Sequence, residues 1–408
     1  MPQFHAAWVL PVSQPPIRDG WVRTERGRII AFGPYRRAER RPSDEIDLGS
    51  VAILPGLVNA HTHLELSWMR RRIDHAEDFD RWIRSVITLQ RNGNEAGEAG
   101  TGVAIDEAIA EARRTGTALL GDVSNTLASV PALVASQSAA VVFHELIGFK
   151  AGPAAQLVAD ALGKAAALPP TDLVHVSLSA HAPYSVSPAL FQAIRQALGR
   201  DPFARCSVHL GESKAESEFL QDGTGPWRAL LDDLGAWDSS WQAPACDPVE
   251  YLDRMGFVTD RLLIVHGVQF GRRELDRMKA RGATLVTCPR GNTLTGAGPP
   301  PVDDFYASGV RVAIGTDSLA SVPDLNLFRE LAELRRLAPG VAPGKLLESA
   351  TINGAAALGF ESDFGAIEPG KRDSLIAVDM AGSMRDVEEY LVAGVRPDAI
   401  HWIDDKSL

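Results

Sequence analysis

The sequence has only three cysteines, Cys206, Cys246 and Cys288, widely spaced and without a CxxC pair. Neither a disulfide framework nor a cysteine-ligated zinc can organise the chain, and we read all three as free thiols. It has no apolar run of the roughly 18 residues that a membrane span requires. Met1-Pro2-Gln3-Phe4-His5 lacks a basic segment followed by an apolar one, so no export signal and a cytoplasmic location are expected. Positive charge is short as well, with 41 Lys and Arg against 52 Asp and Glu and a formal net charge of -11. That balance gives no footing for a phosphate backbone and removes nucleic acid from the expected partners. Arg70-Arg71-Arg72 is the local exception, and we read it as a solvated face. A hydrophobic fraction of 45% and a charged fraction of 23% show no bias toward disorder or a coiled coil.

Within these bounds the chain reads as an enzyme-sized α/β protein. The first fifty residues hold short β-rich runs, Phe4 to Leu10, Gly20 to Arg23 and Arg28 to Phe32, broken by turns. From Leu57 onward short apolar runs alternate with helical stretches such as Ile105 to Arg114, Pro188 to Leu198 and Leu325 to Leu337. The apolar runs number eight: Leu57 to His63, Thr117 to Val123, Ala140 to Leu146, Leu173 to His181, Cys206 to Leu210, Leu262 to Val268, Ala283 to Cys288 and Val312 to Asp317. Eight βα units are the complement of a closed TIM-like barrel. After about residue 360 strand texture returns in Gly365 to Ile367 and Asp373 to Val378. The expected organisation is therefore a (β/α)8 barrel over residues 56–360, with a small β-sandwich built from residues 1–55 and 361–408. Asn92 to Gly102 reads as an exposed loop, and the segment carrying Trp227, Trp237 and Trp241 either caps the barrel mouth or packs onto the barrel.

Chemistry-bearing residues fall at the ends of these runs, where barrels place their active sites. His61 and His63 alternate and so face one side of a strand; His181, His209, His266 and Asp317 close the fourth, fifth, sixth and eighth runs. His61, His63, His209 and Asp317 offer three nitrogens and a carboxylate, a ligand set suited to Zn²⁺ and acceptable to Fe²⁺. A divalent ion of this kind turns water into hydroxide near neutral pH, and Glu212, three residues after His209, can carry a proton beside it. Glu65 either touches a substrate or satisfies a backbone amide, and Arg290 either contacts an anion or braces neighbouring loops. His75, His144 and His175 have no partner in the pattern and read as ordinary surface or packing residues.

Taken together, Pro-Gly-Leu-Val-Asn-Ala-His-Thr-His, Ser-Ala-His-Ala-Pro-Tyr-Ser, His-Leu-Gly-Glu-Ser, Val-His-Gly, Cys-Pro-Arg-Gly-Asn and Gly-Thr-Asp-Ser resemble the amidohydrolase superfamily along nearly the whole chain. The nearest likeness is to its nucleoside and heterocycle deaminases. His-Thr-His-Leu-Glu-Leu-Ser-Trp looks like the aminodeoxyfutalosine deaminases of menaquinone biosynthesis. The resemblance implies one metal on His61, His63, His209 and Asp317, with His266 and Asp317 helping to deprotonate water and Glu212 protonating the ring nitrogen. It places His181 on the bound heterocycle or its sugar. Binuclear relatives carry a bridging carboxylated lysine, whereas no lysine ends the fourth run here and Lys150 lies beyond the third, so a single metal is expected. Cys288-Pro289-Arg290-Gly291-Asn292 departs from the group, which often has Ser before Asn. The expected substrate is a nucleoside-like small molecule, with aminodeoxyfutalosine favoured and its benzoate read by Arg290 or the Arg70 to Arg72 run. The alternatives are an adenosine- or S-adenosylhomocysteine-type deaminase and a triazine chlorohydrolase or cyclic-amide hydrolase. The sequence leaves a homodimer open.

Overall fold

The computed structural model describes residues 2–35, 45–93, 97–150, 152–169, 171–381 and 384–403. Strands β1 (Gln3–Val9), β2 (Ile17–Glu25), β3 (Arg28–Pro34), β4 (Glu45–Asp47) and β5 (Val51–Pro55) precede eight strands of a second kind. These are β6 (Leu57–Thr62), β7 (Thr117–Ser124), β8 (Ala139–Leu146), β9 (Val174–Ala180), β10 (Cys206–Leu210), β11 (Leu262–His266), β12 (Thr284–Thr287) and β13 (Arg311–Ile314). Two more, β14 (Leu375–Asp379) and β15 (Ile400–Ile403), end the described chain.

The eight central strands form two parallel four-stranded sheets, β6-β7-β8-β9 and β10-β11-β12-β13. Helices cover them outside, so the strands are apolar on both faces, and every residue of β8 is buried. Two seams close the ring without a regular ladder. At the first, Ser179 Oγ donates to Ser207 O at 2.7 Å and His209 N donates to His181 O at 2.8 Å. At the second, Asn59 Nδ2 donates to Thr316 Oγ1 at 2.8 Å, and Asp317 N donates to His61 O at 3.1 Å. A side chain at Gly315 would place its Cβ 2.6 Å from His61 O, so this approach of last strand to first requires glycine. The structure is the TIM-like barrel that the sequence implies.

The helices read locally as their sequences require. Ser187 caps Pro188–Leu198 by accepting from Leu190 N, Pro188 occupies the first turn, and Leu190, Phe191 and Ile194 turn one face inward. The terminal strands form one seven-stranded sheet, β15-β14-β5-β1-β2-β3 with β4 on β1. Its two faces separate with a period of two: Ile53, Leu375 and Ala377 join Phe4 and Val22, whereas Leu54, Ile376 and Val378 pack with Phe328 and Leu331 on the barrel.

Several local expectations change. Gly365–Ile367 is not a strand, because Gly365 sits at φ +91 and the segment bends. Of the expected loop Asn92 to Gly102, residues 97–102 begin a helix, Gly97–Arg114, and 94–96 lie outside the described residues. The sixth strand ends at His266 rather than Val268, and the eighth at Ile314, leaving Asp317 beyond it in the left-handed region at φ +62. Among the described residues no helix is long and apolar enough to cross a membrane.

Candidate metal centre and active site

The strand ends bring His61, His63, His209 and Asp317 to one point. Nε2 of His63 lies 3.2 Å from Nε2 of His61 and 3.3 Å from Nε2 of His209. Asp317 Oδ1 lies 3.7 Å from His61 Nε2 and 3.6 Å from His63 Nε2. Burial lowers the pKa of all three imidazoles, and His209 adds to the lowering at His61. Neutral rings facing one another nitrogen to nitrogen cannot all satisfy their neighbours by hydrogen bonds. Atoms about 2.1 Å from a tetrahedral ion lie about 3.4 Å from one another, so the spacing fits a divalent cation. His266 also comes within 4.8 Å of His61 and His209 through its ligand atom.

Three of these groups, His209, His266 and Asp317, are held from behind. His209 Nδ1 faces His181 O at 3.2 Å and Glu145 Oε1 at 3.4 Å. His266 Nδ1 faces Asn292 Oδ1 at 2.8 Å, and Ser321 Oγ donates to Asp317 Oδ2 at 2.8 Å. Such outer partners set the tautomer and orientation of metal-binding side chains. His266 at φ +78 and Asp317 at φ +62 are both non-glycine residues in a sparsely populated region, and the seam and strand contacts hold them there.

Glu212 stands next to this cluster, with Oε1 3.4 Å from His266 Nε2. Burial raises its carboxyl well above the usual range, and the Asp317 and Glu216 carboxylates push the same way. Its position depends on Gly211 and Glu216. Gly211 adopts φ +64, where a Cβ would meet Phe270 Cε1 at 2.2 Å. Glu216 accepts from Gly211 N at 3.0 Å and Glu212 N at 3.1 Å, while Ser213 caps the helix Lys214–Asp222. Burial raises the Glu216 carboxyl to about 7, against the pull of those two amides.

Around the cluster opens a cavity of about 270 Å³ lined by His63, His181, His209, Glu212, His266 and Asp317 at its metal-facing end. His181 is half-buried there, desolvation lowers its pKa to about 4, and its Nδ1 faces Ser185 Oγ at 2.6 Å. Trp227 from the insertion also lines the cavity and stacks on Tyr184 with ring centroids 3.8 Å apart. Trp237 and Trp241 pack instead around Phe149 and Phe219.

Two expected substrate contacts are placed elsewhere. Arg290 makes a paired contact with Asp324 at 3.1 and 3.2 Å and reaches Glu330 at 3.3 Å; it braces loops and does not line the cavity. Glu65 accepts from Asn125 N at 3.1 Å, Ala128 N at 2.9 Å and Thr126 Oγ1 at 2.8 Å, so its carboxylate serves the turn after β7. In the basic run, Arg70 pairs with Glu111 and Arg72 lies over Trp68, away from the cavity lining. His75 is exposed and His175 packs against Phe360; neither lines the cavity, nor does the buried His144.

Glu145, Glu216, Asn59 and Asn292 are site residues that the sequence reading does not single out. Glu216 has a local signal, since Ser213-x-x-Glu216 is a capping-box pattern. Glu145 has none, because one acidic residue ending an apolar strand is ambiguous until the neighbouring strand arrives.

The model of the amidohydrolase family matches residues 52–396. The chain belongs to the amidohydrolase family. As a family member it is a hydrolase, and relatives over most of its length carry related names. A 5-methylthioadenosine/S-adenosylhomocysteine deaminase of Nitratidesulfovibrio vulgaris is 28% identical over 380 residues, covering 90% of this chain and 80% of the relative. An aminodeoxyfutalosine deaminase of Deinococcus radiodurans is 29% identical over 361 residues, covering 83% of this chain and 81% of the relative. Among solved structures, an adenosine deaminase from Xanthomonas campestris with bound zinc superposes with a TM-score of 0.83 at 25% identity, covering 98% of this amidohydrolase and 90% of that chain.

Proposed function

We propose that the protein is a metal-dependent aminohydrolase that replaces the exocyclic amine of an adenine-type nucleoside with oxygen and releases ammonia. The observation that carries this reading is Glu212, a buried carboxyl with a raised pKa set 3.4 Å from His266 and beside three converging imidazoles and a carboxylate. His61, His63, His209 and Asp317 would hold one divalent ion, with zinc favoured and iron acceptable. When bound there, such an ion lowers the pKa of water toward neutrality and supplies hydroxide.

The chain's own residues do the rest. His266, neutral because burial lowers its pKa to about 3, presents Nε2 toward the nucleophile and accepts a proton while Asn292 fixes its ring. Glu212 delivers its proton to the ring nitrogen next to the amine-bearing carbon, which lets that carbon accept oxygen without placing negative charge on the ring. The amine then takes up the proton that His266 received and leaves as ammonia, while the added hydroxyl gives its proton to the Glu212 carboxylate as the carbonyl forms, which restores the acid. His181 borders the heterocycle from the cavity wall.

Names among the relatives include both 5-methylthioadenosine/S-adenosylhomocysteine and aminodeoxyfutalosine deaminases. The cation expected to read the benzoate of aminodeoxyfutalosine is not among the lining residues, so the broader adenine-nucleoside reading stands ahead of that single substrate. The test is ammonia release by zinc-loaded protein from adenosine, 5′-methylthioadenosine, S-adenosylhomocysteine and aminodeoxyfutalosine. Turnover of at least one is expected. Silence with all four, together with hydrolysis of a chlorotriazine or a cyclic amide, would move the assignment to those hydrolases.

A further inference from the structure

The cavity does not end at the metal-facing groups. Beyond them it runs between the helices Phe79–Asn92 and Gly225–Asp233, which contribute Phe79, Trp82, Val86, Trp227, Leu230 and Leu231. Phe79 meets Trp227 edge-on with centroids 5.9 Å apart, so the two helices make one continuous apolar wall. At the rim stand Ile147 and Leu234, 55% and 37% exposed, two of the few large apolar side chains that the described chain leaves to solvent. Exposed apolar side chains that line a cavity mark a surface meant to be covered by a ligand.

Charge in this cavity has one sign. Among the described residues, the lining includes Glu145, Glu212 and Asp317 but neither Lys nor Arg. Of the cations on the two helices, Arg81 lies 3.7 Å from Asp78, Arg84 pairs with Asp233 at 2.9 Å, and Arg228 pairs with Asp232 at 2.8 Å and lies over the ring of Trp237; neither these nor Arg91 line the cavity. A carboxylate entering the apolar stretch would lose water and find no donor of positive charge, which is a strongly unfavourable transfer. An ion held at the far end would have its charge partly matched by Asp317 and by the hydroxide it supplies.

We infer that this site selects nucleosides whose end remote from the ring is neutral, apolar and larger than a methylthio group, and that it discriminates against anionic substituents there. The inference rests on the deaminase reading, which places the ring at the metal-facing end. The contacts that give selectivity are then apolar burial along Val86, Leu230 and Leu231, with Ile147 and Leu234 closing over the substituent at the mouth.

The experiment compares adenosine, 5′-deoxy-5′-phenylthioadenosine and its 4-carboxyphenyl counterpart on zinc-loaded protein, by ammonia release and by calorimetric binding. The phenylthio compound should exceed adenosine in kcat/KM by roughly tenfold or more, the scale of burying several apolar carbons. It should exceed the carboxyphenyl compound by at least as much. Leu234→Arg, at the exposed rim, should raise the ratio of kcat/KM for the carboxyphenyl compound to that for the phenylthio compound about tenfold, because it supplies the missing partner. Equal or better use of the carboxyphenyl compound by the natural protein overturns the inference, as does equal use of adenosine and the phenylthio compound. Binding that follows the expected order without ammonia from any compound removes the deaminase reading and keeps the apolar selectivity. Neither binding nor turnover overturns both.

Discussion

His63 and His209 face each other Nε2 to Nε2 at 3.3 Å although 146 residues separate them in the chain. No hydrogen-bonding arrangement satisfies this pair together with His61, since each ring nitrogen can donate or accept but not serve two neutral rivals. The arrangement fits a ligand shell that a divalent cation would complete, and the seams of the barrel hold the rings in place for it. Metal removal should therefore abolish ammonia release and lower the thermal midpoint, with both restored by one equivalent of zinc. Site occupancy at a thousandfold excess over Kd contributes about 4 kcal/mol to stability. Full activity only at two metals per chain, measured by elemental analysis, would reject the single-ion site.

Glu212→Gln keeps size and removes the transferable proton. We expect retention of metal with a fall in kcat on the order of 10²-fold or more, the usual contribution of a general acid. Loss of metal in step with activity would make Glu212 a ligand instead.

Glu216 acts through Glu212 by accepting from its amide and that of Gly211. Glu216→Ala leaves two buried amides unpaired, which should cost about 1–3 kcal/mol each and displace Glu212. The expected signature is a large drop in kcat with little change in KM and full metal content, with Glu216→Gln recovering part of kcat. A pure stability loss at normal kcat would confine Glu216 to the scaffold.

Arg290→Met leaves the fully buried carboxylate of Glu330 without its cation. Breaking a buried pair from one side costs about 3–5 kcal/mol, so the denaturation midpoint should fall steeply. Adding Glu330→Gln should recover much of it. The ratio of kcat/KM between carboxylated and neutral substrates should not move; if it does, Arg290 reaches the substrate after all.

Thiol chemistry gives an independent check on packing. Cys206 is buried with its pKa pushed up to about 12, burial also pushes the Cys288 thiol well above the ordinary range, and Cys246 is half-buried. One thiol per native chain, Cys246, should react with an aromatic disulfide at neutral pH, and all three after denaturation. Rapid reaction of two or more in the native state would mean that the strand bearing Cys206 or the turn at Cys288 opens.

The sequence by itself determined the eight apolar runs, the helical alternation between them and the placement of His61, His63, His209 and Asp317 at strand ends, because burial on both faces and a period of two are local properties. It also determined that Glu212 follows the fifth strand closely enough to stand beside the proposed ligands. Only the tertiary structure decided which polar residues meet. Arg290 and Glu65 lie just past strand ends as the proposed ligand Asp317 does, yet Asp324 and Glu330 claim the first and the turn amides after β7 claim the second. Glu145 became a site residue when β10 brought His209 against it, and Asp317 left its strand because Gly315 lets the last strand close on His61. A side chain's partner depends on elements many residues away, and a pattern along the chain carries the direction of a side chain but not the identity of what it will face.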